Sequence, residues 1–471
     1  MLFYLGTILI AIGSVLLLPV FSALFFWQIE LIPLFLILSG ICFSIGFLLR
    51  KKLEPEDLSL GNAMVLVALT WIIFAFLGAI PYMYSNEMSL IDSYFESMSG
   101  FTATGLTVMQ GYTGWTIPEP SETILLWRSI TQWIGGLGVI VLFLALFPGT
   151  SSVARKLYAS EAREDRIMPT MQSTTRTIWK IYVLFTILGV VGLYLAGMNP
   201  FAALNHSMTG IATGGFTVTP DSYAGYNISI FIVTISIMVA GGISFTIHQR
   251  AISNGVKTLF KSIEVKFMII LIALATAAIT WQVGLKHAAF QTTSALTGTG
   301  FSSTGLIPTT WSSFQKAILT VLMVIGGGYG STSSAIKLIR TITILGAVYW
   351  LIKRSFLPDR AVVPLKIGDE VYEEADIMES AVYAFFYIVV LTIGSLATMV
   401  LISSHSGIDA IFESASAQGN VGLSAGITAI APPAVKILFI IQMLAGRLEI
   451  LPIAALFNYL IRKIPRYQKP I

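Results

Sequence analysis

Charge and cysteine are scarce in this chain, and each scarcity excludes a class of protein. One cysteine, Cys42, stands among 471 residues, which rules out an internal disulfide framework and a cysteine-based metal site. Only 11% of residues are charged while 55% are hydrophobic, and the mean hydropathy is +0.81, far more apolar than a soluble domain. Four histidines, His206, His248, His287 and His405, are scattered with no spacing that sets two on one face, which argues against a metal site. There is no His-Glu-x-x-His pair, and the chain is not expected to be an enzyme or to carry a cofactor. The formal charge of +4 gives no reason to expect nucleic acid as a partner. Such a chain must be solvated by membrane lipid.

What is present is a series of long apolar runs, near residues 3 to 27, 31 to 49, 61 to 83, 124 to 147, 180 to 197, 229 to 247, 266 to 283, 316 to 350, 379 to 402 and 434 to 460. Most reach the roughly 20 residues a helix needs to cross a bilayer. The first lacks a basic leading segment and is too long for a secretory signal, so it reads as a retained helix. Lys and Arg are absent between Lys52 and Arg128, between Lys180 and Arg250, and between Lys366 and Lys436. Basic clusters alternate with these gaps: Arg50, Lys51 and Lys52; Arg155, Lys156, Arg163 and Arg166; Lys257, Lys261 and Lys266; Lys353, Arg354 and Arg360; Arg462, Lys463 and Arg466. Basic loops stay in the cytoplasm, so the gaps face outward and a multi-pass protein of the cell (inner or plasma) membrane with both termini in the cytoplasm is expected, with Lys286 the exception.

Each outer stretch from residue 87 onward holds a short apolar segment ending in Gly, Thr and Ser, too short to span and too apolar for an ordinary loop. These segments repeat. Ser99 to Leu106 matches Thr299 to Leu306 without a gap, identical at five of eight positions. Thr209 to Val218 aligns with Ser99 to Val108, and Gly419-Asn420-Val421-Gly422-Leu423 forms a weaker fourth copy. Its lead-in Asp409, Phe412, Glu413, Ser414 and Ser416 repeats Asp92, Phe95, Glu96, Ser97 and Ser99 in register. The expected fold is therefore all-α and polytopic. A two-helix preface (1–52) precedes four pseudo-repeats of helix, re-entrant pore loop and helix around one pore (53–160, 161–257, 258–360, 361–471).

At this spacing the loops suit a dehydrated monovalent cation, whose hydration shell rings of backbone carbonyls can replace. The candidate filter residues are Thr102, Ala103, Thr104 and Gly105; Ala212, Thr213, Gly214 and Gly215; Ser302, Ser303, Thr304 and Gly305; and Gly419, Asn420, Val421 and Gly422. Gly326, Gly327, Gly328, Tyr329, Gly330 and Ser331 interrupt the third repeat's last apolar run. They lack the Gly-Lys-Ser/Thr ending of a phosphate-binding loop and read as a break beneath the filter. Arg447 lies within an apolar helix, where an ionisable group must face a cavity or a partner; the choices are the pore, Glu449 or a carboxylate of another chain. Arg128 is expected to meet Glu96 or Glu413 in a structural role.

At these residues the chain resembles the Trk/Ktr/HKT potassium transporter superfamily, in particular its TrkH-type membrane subunit, over nearly its whole length. Trp127 to Gly138 looks like the first inner-helix signature, Gly326 to Thr332 followed by Ile336-Lys337 like the third-repeat intramembrane loop, and Gly446 to Ile450 like the fourth inner helix. The chain departs from the family pattern at Tyr329, Ser333 and Ser334. The resemblance implies potassium uptake, with potassium as the substrate at the filter and a gate made of the loop and Arg447. It further implies a homodimer docked on a cytosolic TrkA-type nucleotide-binding ring. Coupled symport with sodium or protons stays open beside channel-like conduction.

Overall fold

The computed structural model describes residues 1–111, 114–116, 119–138, 171–304, 311–358, 364–368 and 370–463. Two short antiparallel hairpins, pairing Gln110–Gly111 with Gly114–Trp115 and Leu365–Ile367 with Glu370–Tyr372, are the strands among them. The remaining elements are helices, because lipid leaves the backbone no partner except itself.

The preface consists of Leu2–Val15 and Leu18–Phe25, which together form one apolar span, and Ile32–Lys52. The two spans meet through small residues. Gly6 and Gly46 bring the backbones together, and the buried Ser39 hydroxyl donates to the Gly13 carbonyl at 2.7 Å.

Each of the four units begins with an outer helix: Leu60–Asn86, Met171–Leu195, Ile263–Val283 and Glu374–Leu401. A pore helix follows, half as long: Leu90–Phe101, Pro200–Ile211, Leu285–Thr297 and Gly407–Gly419. Side-chain caps start three of these, with Ser89 accepting from Asp92 N, Asn199 from Phe201 N and Ser406 from Asp409 N. The inner helices follow and none of the later three is continuous. Glu122–Leu137 is the first; Ile228–Gly242 turns through 105° into Phe245–Asn254; Ser313–Ile325 is separated from Leu338–Ser355 by an irregular loop; Pro433–Leu448 bends 115° into Ile450–Lys463. Among the described residues six helices are long and apolar enough to span alone, and the two bent pairs raise that to eight.

The units close into a ring. Every pore helix lies between the inner helix of its own unit and that of the unit before, the first pore helix packing against the fourth inner helix. Two ion pairs staple this arrangement: Lys316 of the third inner helix reaches Asp409 of the fourth pore helix at 2.6 Å, and Lys436 of the fourth reaches Asp92 of the first. The apolar side chains left outside, such as Phe76, Leu195, Leu274 and Val400, are exposed where lipid would solvate them.

The glycine contact in the preface is testable. A Cβ at position 46 would lie 2.7 Å from the Gly6 carbonyl oxygen and from Ile10 Cγ1. Gly46→Leu should therefore lower stability by about 1–3 kcal/mol, read as a lower thermal midpoint in detergent, while leaving the pore-helix ring intact.

Candidate ion pathway

Each filter loop leaves its pore helix through the same backbone hydrogen bond. Thr104 N donates to Ser99 O, Gly214 N to Thr209 O, Thr299 N to Ser294 O and Val421 N to Ser416 O, at 2.8–2.9 Å. On either side of these donors φ is positive: Ala103 (52°), Thr213 (51°), Gly298 (73°) and Asn420 (53°) before, Gly105 (88°), Gly215 (75°), Gly300 (82°) and Gly422 (98°) after. The donors themselves are not left-handed. Alternating hand turns successive carbonyls to one side of the chain, and glycine takes the second left-handed position in every loop.

The loops also touch in order. A Cβ on Gly105 would fall on the Gly214 carbonyl oxygen, on Gly215 on that of Thr299, on Gly300 on that of Val421, and on Gly422 on that of Thr104. The contact runs from the first loop through the fourth and back, so the ring is closed. All four glycines line one shared vestibule, in which Lys316 is the sole charged group among the described lining residues.

This geometry corrects the third repeat. The gapless alignment assigns Ser302, Ser303, Thr304 and Gly305 to the filter, whereas the ring is completed by Thr297, Gly298, Thr299 and Gly300, five residues earlier. Ser302 and Thr304 line the vestibule above, and Gly305 lies outside the described residues. The other twelve candidates, Thr102 to Gly105, Ala212 to Gly215 and Gly419 to Gly422, fall on equivalent positions of the ring.

A second repeated contact holds each loop as it rises from the ring. Glu96 accepts from Val108 N (3.0 Å), His206 Nε2 from Val218 N (3.2 Å), Gln291 from Ser303 N (3.0 Å) and Glu413 from Ala425 N (2.5 Å), in every unit twelve residues on. The four acceptors are fully or nearly fully buried. Their chemistry varies because an amide donor requires only a lone pair, which carboxylate, amide oxygen and neutral imidazole all offer. Glu96 is also paired with Arg128 at 2.9 Å, and the guanidinium donates to Thr217 O and lies 4.1 Å from the Phe216 ring centroid, tying the first loop to the second. Glu413 takes donors from Ser424, Ala425 and Thr428 instead, so Arg128 meets the first of its two expected partners. Across the ring, Gln132 donates to Gly214 O and accepts from Phe216 N, while Asn420 donates to Thr104 Oγ1 and Met443 O.

Below the ring, Gly326 to Lys337 runs as irregular backbone between the halves of the third inner helix. Its stretch Gly326 to Ser331 docks on the bend of the second inner helix, with Gly328 N donating to Gly242 O (2.8 Å) and Phe245 N to Gly330 O (3.2 Å). Tyr329 N donates to Glu264 at 2.9 Å. The residues next to the filter are slightly later in sequence. Thr332 Oγ1 is 3.2 Å from Thr213 Oγ1 and donates to Ile211 O and Gly241 O, and Ser333 Oγ lies beneath Gly298.

Arg447 is half-buried and spans this loop and the first inner helix. It donates to Thr332 O at 2.8 Å and to the terminal carbonyls of Gly135 and Gly136 at 2.6 Å. Those carbonyls belong to a helix C-terminus, which favours a cation. Glu449, the rival partner, is engaged by Arg340 through two 3.0 Å bonds and by Lys337 at 3.4 Å.

The same architecture is found in known proteins. The cation transport protein family TrkH matches residues 33–285 and 278–463 of the chain. An uncharacterized cation transporter of Methanocaldococcus jannaschii is 38% identical over 439 residues, covering 92% of this chain and 90% of the relative. The chain belongs to the TrkH family. Another relative, the Trk system potassium uptake protein TrkH of Vibrio parahaemolyticus, is 31% identical over 443 residues and 87% of each chain. The crystal structure of the potassium transporter TrkH from that organism superposes with a TM-score of 0.82 at 25% identity, covering 99% of both chains. Like the rest of its family this chain is a transporter and a multi-pass membrane protein, not an enzyme.

The corrected register of this TrkH-family chain can be checked by substitution. Gly300→Ala places a Cβ on the Val421 carbonyl at a left-handed position that costs alanine about 1–2 kcal/mol by itself, so cation flux should fall by about tenfold or more. Ser303→Ala, which keeps the backbone bond to Gln291, should stay within about twofold of wild type. Equal losses in tracer flux per inserted protein would return the filter to the later register.

Proposed function

We propose that this protein takes potassium into the cell through the ring formed by its four filter loops. The observation that carries the proposal is ring closure, with each filter glycine set against the neighbouring loop's carbonyl from the first unit round to the fourth. Stacked backbone carbonyls offer a dehydrated potassium ion neutral oxygen ligands, and the pore helices aim their partly negative C-terminal ends at the cavity below. The names of the relatives in Vibrio parahaemolyticus and the likeness to its solved potassium transporter support the same reading.

In this reading the intramembrane loop is the gate. Gly326 to Ser331 anchor it to the second inner helix, Thr332 and Ser333 stand under the filter, and Arg447 both holds it and places positive charge on the path. Both termini lie in the cytoplasm, two chains form the working dimer, and a TrkA-type cytosolic ring moves the loop. Conduction down the electrochemical gradient is favoured over coupled symport because Lys316 is the sole charged group among the described lining residues of the vestibule.

Potassium, rubidium and sodium flux into liposomes holding the purified chain tests the function. Potassium and rubidium should enter and sodium should be disfavoured; uptake that requires an imposed sodium or proton gradient would favour symport. Gly105→Ser should lower the potassium to sodium permeability ratio, read from reversal potentials, because a side chain there strikes the Gly214 carbonyl. Arg447→Gln loses charge-assisted bonds of about 1.5–3 kcal/mol each and should raise potassium flux by about tenfold, while Arg447→Lys should stay nearer wild type. Unchanged flux with reduced detergent stability in the Gln variant would remove Arg447 from the gate.

A further inference from the structure

The second inner helix does not run straight on past Gly242. After Gly242 its axis turns 105°, and the helix Phe245–Asn254 and the 3₁₀ turn Val256–Lys261 lead directly to the next outer helix at Ile263. A segment held between the ends of two adjacent spans, at right angles to one of them, lies along the membrane surface. The bend is fixed by His248, whose ring nitrogen Nε2 is 2.8 Å from the Ala240 carbonyl oxygen, and by Ser244, whose hydroxyl accepts from Thr246 N.

The surface this elbow presents is of two kinds. Ile252, Val256 and Phe260, four residues apart, are 57%, 66% and 60% exposed. Arg250, Lys257 and Lys261 are exposed beside them, and no acidic residue occurs between Asp221 and Glu264. Aliphatic and aromatic side chains flanked by cations match the boundary between acyl chains and anionic headgroups.

The elbow is also joined to the loop beneath the filter by its backbone. Gly328 N donates to Gly242 O at 2.8 Å, Thr332 N to Gly241 O at 3.2 Å, and Phe245 N to Gly330 O at 3.2 Å. These bonds sit at the hinge from which the elbow projects, so whatever fixes the elbow in the membrane plane also fixes the seat of Gly328, Gly330 and Thr332. We infer that residues 245–261 form a binding site for anionic phospholipid in the cytoplasmic leaflet, and that lipid held there sets the position of the intramembrane loop. The inference rests on the orientation and the potassium pathway proposed above.

The test uses the full purified chain without any partner protein, in phosphatidylcholine vesicles with a rising fraction of phosphatidylglycerol. Potassium flux of the wild type should change steadily with the anionic fraction, and high salt should weaken the response. The triple variant Arg250→Gln, Lys257→Gln, Lys261→Gln should keep wild-type flux in neutral vesicles and lose most of the response. A control with Lys51→Gln and Lys52→Gln should retain it. Native mass spectrometry supplies a readout independent of transport, in which phosphatidylglycerol carried by the triple variant should fall by about tenfold or more relative to wild type. Flux indifferent to phosphatidylglycerol, an equal response in the triple variant, or equal lipid retention would overturn the inference. So would a triple variant that responds to lipid normally but no longer binds a cytosolic regulatory protein, which would make the elbow a protein surface. Absence of flux in every vesicle overturns the proposed transport instead, and lipid retention then still decides whether the elbow binds.

Discussion

Irregular backbone at membrane depth must find hydrogen-bond partners within the protein, and the interior of this molecule is arranged around that requirement. Four filter loops and one intramembrane loop break the helical rule. Each filter loop is tied twice, to its pore helix by the bond from Thr104, Gly214, Thr299 or Val421, and to the buried acceptor Glu96, His206, Gln291 or Glu413 twelve residues before its second anchor. The short pore helices exist to supply those partners. With their amides occupied, the loops can hold alternating left-handed positions that an unbraced chain would abandon.

Charge is used in the same sparing way. Arg128 lies fully buried against Glu96 and faces the Phe216 ring, where removing either charge would leave the other uncompensated. Lys316 with Asp409 and Lys436 with Asp92 join neighbouring units, at the junctions of the third unit with the fourth and the fourth with the first. Arg447 differs from these, because its bonds are to carbonyl oxygens of Thr332, Gly135 and Gly136.

The breaks in the inner helices serve one another. The bend after Gly242 exposes the carbonyls of Gly241 and Gly242, and the interrupted third inner helix supplies the donors Gly328 and Thr332 that satisfy them. Groups that each helix alone would leave open at its break are paired across this contact. Any motion of the loop must break bonds to the second inner helix and to Arg447, so it is limited to discrete positions in which those groups find partners again.

Apolar run length, the alternation of basic clusters and the recurrence of Gly-Thr-Ser segments were enough to read the preface, the fourfold repeat and three of the four loops that close into the ring from the sequence alone. Those features are local and survive without neighbours. The third loop was misplaced because Gly300-Phe301 copies Gly100-Phe101, the end of the first pore helix, while the true match lies in the lead-in Phe290-Gln291-Thr292 to Phe95-Glu96-Ser97, where Gln replaces Glu. Arg128's choice of Glu96, Arg447's choice of carbonyls and the seating of Thr332 under Thr213 were decided by tertiary structure. Each depends on which groups a closed ring brings together across 32 to 312 residues of chain, and which buried acceptors are already taken; a linear sequence carries no record of that competition.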